Sequence, residues 1–109
     1  MFFKKNLIKK DNIFSFPITD TETKKVSQFY KVTPFPNYKD NDDKKSILYR
    51  GNKNILAHQF KNYIGNNKNV LEVGCGTGQL SIYFALESNN NIVALDPTLT
   101  SLNLAKNFA

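Results

Sequence analysis

The chain has 109 residues, enough for one small domain, and its 40% hydrophobic and 22% charged content is that of an ordinary soluble globular protein. One cysteine, Cys75, and one histidine, His58, exclude an internal disulfide and a Cys/His zinc cluster. The net charge of +6 is uneven: residues 1–68 carry 14 basic and 6 acidic side chains, and residues 69–109 carry 1 and 3. A basic leading half suits an anionic partner such as nucleic acid. Its lysines, however, stand as singles and pairs (Lys4-Lys5, Lys9-Lys10, Lys24-Lys25, Lys44-Lys45) without a dense run, which reads as a solvated surface.

The opening MFFKKNLIKK is basic, but its apolar stretches are too short for a signal-peptide core, and no later run reaches membrane-spanning length. A cytoplasmic protein is therefore expected. Residues 12–19 (NIFSFPIT) predict a short strand that Pro17 confines to a sheet edge. Residues 21–30 predict a helix with Val26, Phe29 and Tyr30 on one face. Pro34 and Pro36 then hold residues 31–43 extended or turning. The aromatic cluster Phe35, Pro36, Asn37 and Tyr38 reads as an apolar clasp tying the lead-in to the domain. The charged residues 40–45 read as a linker, which divides the chain into a lead-in (1–45) and a main unit (46–109).

Residues 54–64 predict a helix, with Leu56, Phe60, Tyr63 and Ile64 in phase, Asn52 or Asn54 as its cap and Gly65 as its stop. His58 falls inside it and reads as a surface or packing residue. A strand follows at 70–73, interrupted by Glu72, and breaks into three glycines at alternate positions, Gly74, Gly76 and Gly78. The next helix carries Leu80, Tyr83 and Phe84 as its buried stripe. A second strand at 91–95 ends at Asp96. Pro97 delays the last helix, which Thr98 or Thr100 caps, and which pairs Leu102 with Ala105 on one face and Leu104 with Phe108 on another.

A strand, a glycine turn and a helix commonly hold a nucleotide-like ligand. Glycine permits the sharp turn and lets a ligand approach the backbone. The dinucleotide spacing G-x-G-x-x-G fails here, because position 79 is Gln79. Glu72, two residues before the turn, would repel a pyrophosphate and favour a cationic ligand. S-adenosylmethionine (SAM) has an ammonium, a sulfonium and no phosphate. Asp96, about 20 residues beyond the turn, stands where an acid accepts hydrogen bonds from ribose hydroxyls. An NAD-dependent oxidoreductase is disfavoured by Gln79 and Glu72.

The text VLEVGCGTG resembles the first motif of class I SAM-dependent methyltransferases, and LDPTLTSLNLAK resembles the segment after it. Together with FYKVTPFPNY, the chain is similar from residue 29 to its end to a bacterial methyltransferase group with an aromatic, proline-rich lead-in. The resemblance implies an α/β, Rossmann-like SAM-binding fold, cut after its second strand and following helix. It implies that the helix at 54–64 packs against the central sheet and that the 35–38 cluster acts as a flap near cofactor or acceptor. It implies that Gly74, Gly76 and Gly78 let the backbone approach the cofactor, that Glu72 orders the turn and complements positive charge, and that Asp96 holds the ribose. Cys75, Thr77 and Pro97 would line the site by backbone or van der Waals contact, with Cys75 a small turn residue and no nucleophile.

The expected activity is methyl transfer from SAM to an unidentified acceptor by a longer protein, this chain alone being inactive, with no catalytic base assigned. The alternative is a non-catalytic Rossmann-like module engaging RNA or an acidic partner through its basic half.

Overall fold

The computed structural model describes residues 8–10, 13–15 and 20–109, which form a mixed α/β protein with five helices. Strands β1 (Ile8–Lys10) and β2 (Ile13–Ser15) make an antiparallel hairpin in the register Lys9↔Phe14. The strand predicted at 12–19 survives as β2. Residues 12 and 16–19, Pro17 among them, lie outside the described residues.

Helix α1 (Thr21–Val32) starts where the Asp20 carboxylate accepts the Thr23 amide at 2.7 Å, satisfying one of the amides that a helix start leaves free. It runs two residues past the predicted end, because Pro34 disfavours the helical conformation only from position 33.

Of the expected linker at 40–45, residues 40–43 lie outside any helix or strand, while residues 44 and 45 open a helix. Asp43 and Ser46 form a reciprocal cap, with Ser46 N–H to Asp43 Oδ1 at 2.8 Å and Asp43 N–H to Ser46 Oγ at 2.9 Å. That cap starts helix α2 (Lys44–Lys53), so the boundary expected after residue 45 falls inside a helix. Asp42 is also committed: Arg50 holds it through two hydrogen bonds, at 2.5 and 3.1 Å, and its side chain is only 3% exposed.

Helix α3 (Ile55–Ile64) is capped by Asn54, whose Oδ1 accepts the Ala57 amide at 3.0 Å. It stops at Gly65, whose φ of 68° is the left-handed conformation that glycine adopts without strain. It packs against α2 and reaches, through Ala57 and Ile64, the core cluster that Ile92 of the second parallel strand also meets. Leu56, Phe60 and Tyr63 stay exposed.

Strands β3 (Asn69–Val73) and β4 (Asn91–Leu95) are parallel, in register from Asn69↔Asn91 to Val73↔Leu95, with α4 (Gln79–Ala85) as the crossover and α5 (Leu99–Phe108) after them. Tyr83 and Phe84 of α4 and Ile47 of α2 are the buried centre, with Ile92, Phe108 and Tyr38 packed around them. Tyr83 is 1% exposed and donates its hydroxyl to Asn52 at 2.9 Å. Leu80, expected in that stripe, is partly exposed instead, and Ser81 takes a buried place. Lys61 of α3 donates to the Tyr83 and Leu86 carbonyls at 2.9 and 2.6 Å, satisfying the end of α4.

The buried face of α5 carries Ser101, with Ala105 beneath Gly78 and Phe108 in the core, and so takes one member of each predicted face pair. Leu71, Val73, Val93 and Leu95 form an exposed apolar face of the parallel pair.

Candidate functional site

Parallel pairing brings the glycine turn and Asp96 to the same end of the sheet. The Leu95 carbonyl accepts the Gly74 and Cys75 amides at 2.8 and 2.9 Å, so the turn is sewn to the end of β4. Asp96 completes the join. Its Oδ2 accepts the Gly76 amide and its Oδ1 the Thr98 amide, each at 2.8 Å. Each carboxylate oxygen retains capacity for a second donor, such as a hydroxyl.

A cavity of about 240 Å³ opens at this join. Gly74, Gly76, Asp96 and Pro97 line it, together with Ser101 of α5, Val26 and Tyr30 of α1, and Phe35. The volume lies below the range usual for whole drug-sized ligands, roughly 300–1,000 Å³, and suits part of an extended ligand.

Four of the eight residues expected at the site therefore line the cavity, and the other four build its frame. The Glu72 carboxylate accepts a hydrogen bond from Ser81 Oγ of α4, bracing β3 against that helix. Cys75 is buried, and its thiol pKa is pushed up to about 11, first by burial and then by the negative charges of Asp96 and Glu72. A thiol so held carries little thiolate at neutral pH. Thr77 is fully buried; its hydroxyl donates to the Pro36 carbonyl, and its own carbonyl accepts from Tyr38 Oη at 2.7 Å. Gly78 lies under α5, where an added Cβ would stand 2.7 Å from Ala105 Cβ.

The three glycines thus differ in purpose. All have positive φ, between 55° and 78°. A Cβ on Gly76 would overlap the Phe35 carbonyl oxygen, and one on Gly78 would crowd α5, whereas one on Gly74 would enter open space. Only Gly74 leaves room that no protein atom fills.

The 35–38 cluster is both clasp and wall. Gln79 Nε2 donates to the Asn37 carbonyl at 3.1 Å, and Tyr38 stacks on Phe108 with ring centroids 4.4 Å apart. Burial, then the nearby Asp42 charge, raises the Tyr38 phenol to about 12, so it remains a donor to Thr77 at neutral pH. Phe35, by contrast, faces the cavity and is 69% exposed.

Val26, Tyr30 and Ser101 were not legible as site residues. Their only sequence signal was helical phase, which says that residues share a face and not what that face meets. Among the described residues no group of three His, Cys, Asp or Glu side chains could hold a metal ion, and no helix is long and apolar enough to cross a membrane. No family model, curated protein or solved structure matches the chain.

Proposed function

We propose that this chain is the cofactor-binding part of a SAM-dependent methyltransferase, built on a Rossmann-like β–α–β unit, β3–α4–β4. The observation that carries the reading is where the turn's amides go. Gly74 and Cys75 donate to Leu95, Gly76 donates to Asp96 and Gly78 donates to the Cys75 carbonyl at 3.0 Å. A pyrophosphate cradle needs such amides free and aimed at the ligand. Here they are satisfied inside the protein, and two carboxylates, Glu72 and Asp96, stand at the same end of the sheet. That electrostatic setting favours a ligand with positive charge and hydroxyl donors over a diphosphate.

The residues fit SAM in kind. Asp96 has acceptor capacity for ribose hydroxyls, Gly74 gives open approach to the backbone, and Pro97 and Ser101 offer a mixed wall. Bound there, SAM would supply the methyl group. Glu72 acts at one remove, through its bond to Ser81 and its charge.

Titration calorimetry tests this. SAM and S-adenosylhomocysteine are expected to bind and NADH not to bind, with Asp96→Ala weakening the adenosyl ligands at least about tenfold, the equivalent of about 1.4 kcal/mol. Tighter binding of NADH than of SAM would overturn the reading. Salt-sensitive RNA binding indifferent to SAM would point to the nucleic-acid module instead.

A further inference from the structure

Helices α2 and α3 carry charge of one sign. Residues 44–71 hold six basic side chains and no acid. Two of the six are committed within the fold: Arg50 to Asp42 and Gln79, and Lys61 to the Tyr83 and Leu86 carbonyls. The other four, Lys44, Lys45, Lys53 and Lys68, are exposed and pair with no acid among the described residues.

The same helices leave an apolar stripe in water. At about 100° per residue, Ile55, Leu56, Phe60 and Tyr63 fall within roughly 140° of arc on α3, with Ala57, Lys61 and Ile64 on the other side. Ala57 and Ile64 indeed meet the core, and the four stripe residues are 51% to 90% exposed. Helix α2 packs on the same core through Ile47 and Leu48. Its outer face sets Lys45, Tyr49 and Lys53 at i, i+4, i+8 spacing. Lys53 stands over the Tyr49 ring at 4.5 Å and only two residues ahead of Ile55, so the cationic face of α2 runs into the stripe of α3.

We infer that the outer face of α2 and α3 docks on an anionic lipid surface, with the α3 stripe in the headgroup–acyl boundary and the lysines among the headgroups. An interfacial helix needs an apolar face, cations beside it for acidic headgroups and no acid for them to repel. Lysine suits such a place, because its stem covers apolar surface while its ammonium stays in water. Nucleic acid fits the face less well. Unpaired bases stack on aromatic rings and guanidinium planes. Here the stripe opens with two aliphatic side chains, Ile55 and Leu56, and the only arginine is locked to Asp42. The chain lies on the surface and does not cross it. The inference is independent of which ligand fills the cavity at Gly74 and Asp96.

Vesicle flotation of the whole chain tests this. The protein is expected to float with vesicles of equal phosphatidylcholine and phosphatidylglycerol, not with phosphatidylcholine alone, and to be released as salt rises. Leu56→Ser with Phe60→Ser, both at exposed positions, weakens vesicle binding at least about tenfold and leaves the melting temperature unchanged. Lys45→Gln with Lys53→Gln weakens it about tenfold or more at low salt. Leu71→Thr with Val93→Thr, on the bare face of the parallel strands, leaves it unaltered. Absence of flotation with the anionic vesicles would overturn the inference, and so would equal flotation of the parent and the Leu56→Ser, Phe60→Ser variant. Capture of single-stranded RNA in preference to the vesicles would assign the lysines to nucleic acid and refute the lipid reading. Self-association abolished by the same double variant, without flotation, would make the stripe a contact between copies and refute it equally.

Discussion

The three glycines of the turn look equivalent in the sequence and are not. Gly76 lacks a side chain because the Phe35 carbonyl occupies that space, while Gly74 lacks one beside open cavity. The two can be separated by experiment. Gly74→Ala meets only the left-handed backbone cost, about 1–2 kcal/mol, and is expected to fold and to bind adenosyl ligands weakly. Gly76→Ala meets the same cost plus overlap with a backbone oxygen that the clasp holds in place, so it is expected to lose about 2–4 kcal/mol of stability. Urea denaturation of both variants, with calorimetry on whichever folds, checks this. Equal stability losses would mean that the clasp does not press on Gly76.

Among the elements, α2 depends most on its surroundings. Gly51 sits in its interior, where Gly→Ala on an exposed helix would gain about 1 kcal/mol. A Cβ there would overlap the Tyr83 ring, which is buried and hydrogen-bonded to Asn52 and cannot yield easily. Overpacking of this kind costs about 1–3 kcal/mol, so Gly51→Ala is expected to lower the melting temperature in spite of helix propensity. The loop before α2 is tied down by charge. Hydrogen bonds from Arg50, then from the Lys39 amide, hold the Asp42 carboxyl well below the usual carboxylate range. A carboxyl lowered in the folded state stabilises the fold above its unfolded pKa, near 3.9, and that contribution is lost as pH falls below it. Thermal melts should therefore find Asp42→Asn less stable than the parent at neutral pH. The gap should narrow at about pH 3, where the parent's Asp42 begins to lose its advantage over the unfolded chain. A gap that widened in acid would contradict the pairing.

At the scale of the whole molecule, the parallel pair is covered on one face and open on the other. Parallel strands normally have both faces buried, which is why β3 and β4 read as near-continuous apolar runs. Leu71, Val73, Val93 and Leu95 are the side chains that the bare face leaves in water. Such a patch promotes dye binding and self-association. The double change Leu71→Thr with Val93→Thr places β-branched residues, which strands favour, at both positions and is expected to reduce anilinonaphthalene sulfonate fluorescence and the concentration dependence of sedimentation. No change in either would mean that another surface, such as the exposed stripe of α3, dominates association.

What the sequence determined is short-range. Alternate glycines after an apolar run dictated the turn, the caps and stops at Asn54 and Gly65 bounded α3, and the spacing to Asp96 foretold that parallel pairing would set this acid beside the turn. Each rests on groups within a few residues of one another, or on the single register that a short crossover allows. Tertiary structure decided the rest. It buried Asp42 against Arg50, chose the face of α5, assigned Gly76 to Phe35 and set α1 over the cavity. Most of these outcomes depend on contacts between segments distant in the chain, such as Pro36 and Thr77, 41 positions apart, and no local periodicity records which two surfaces will meet.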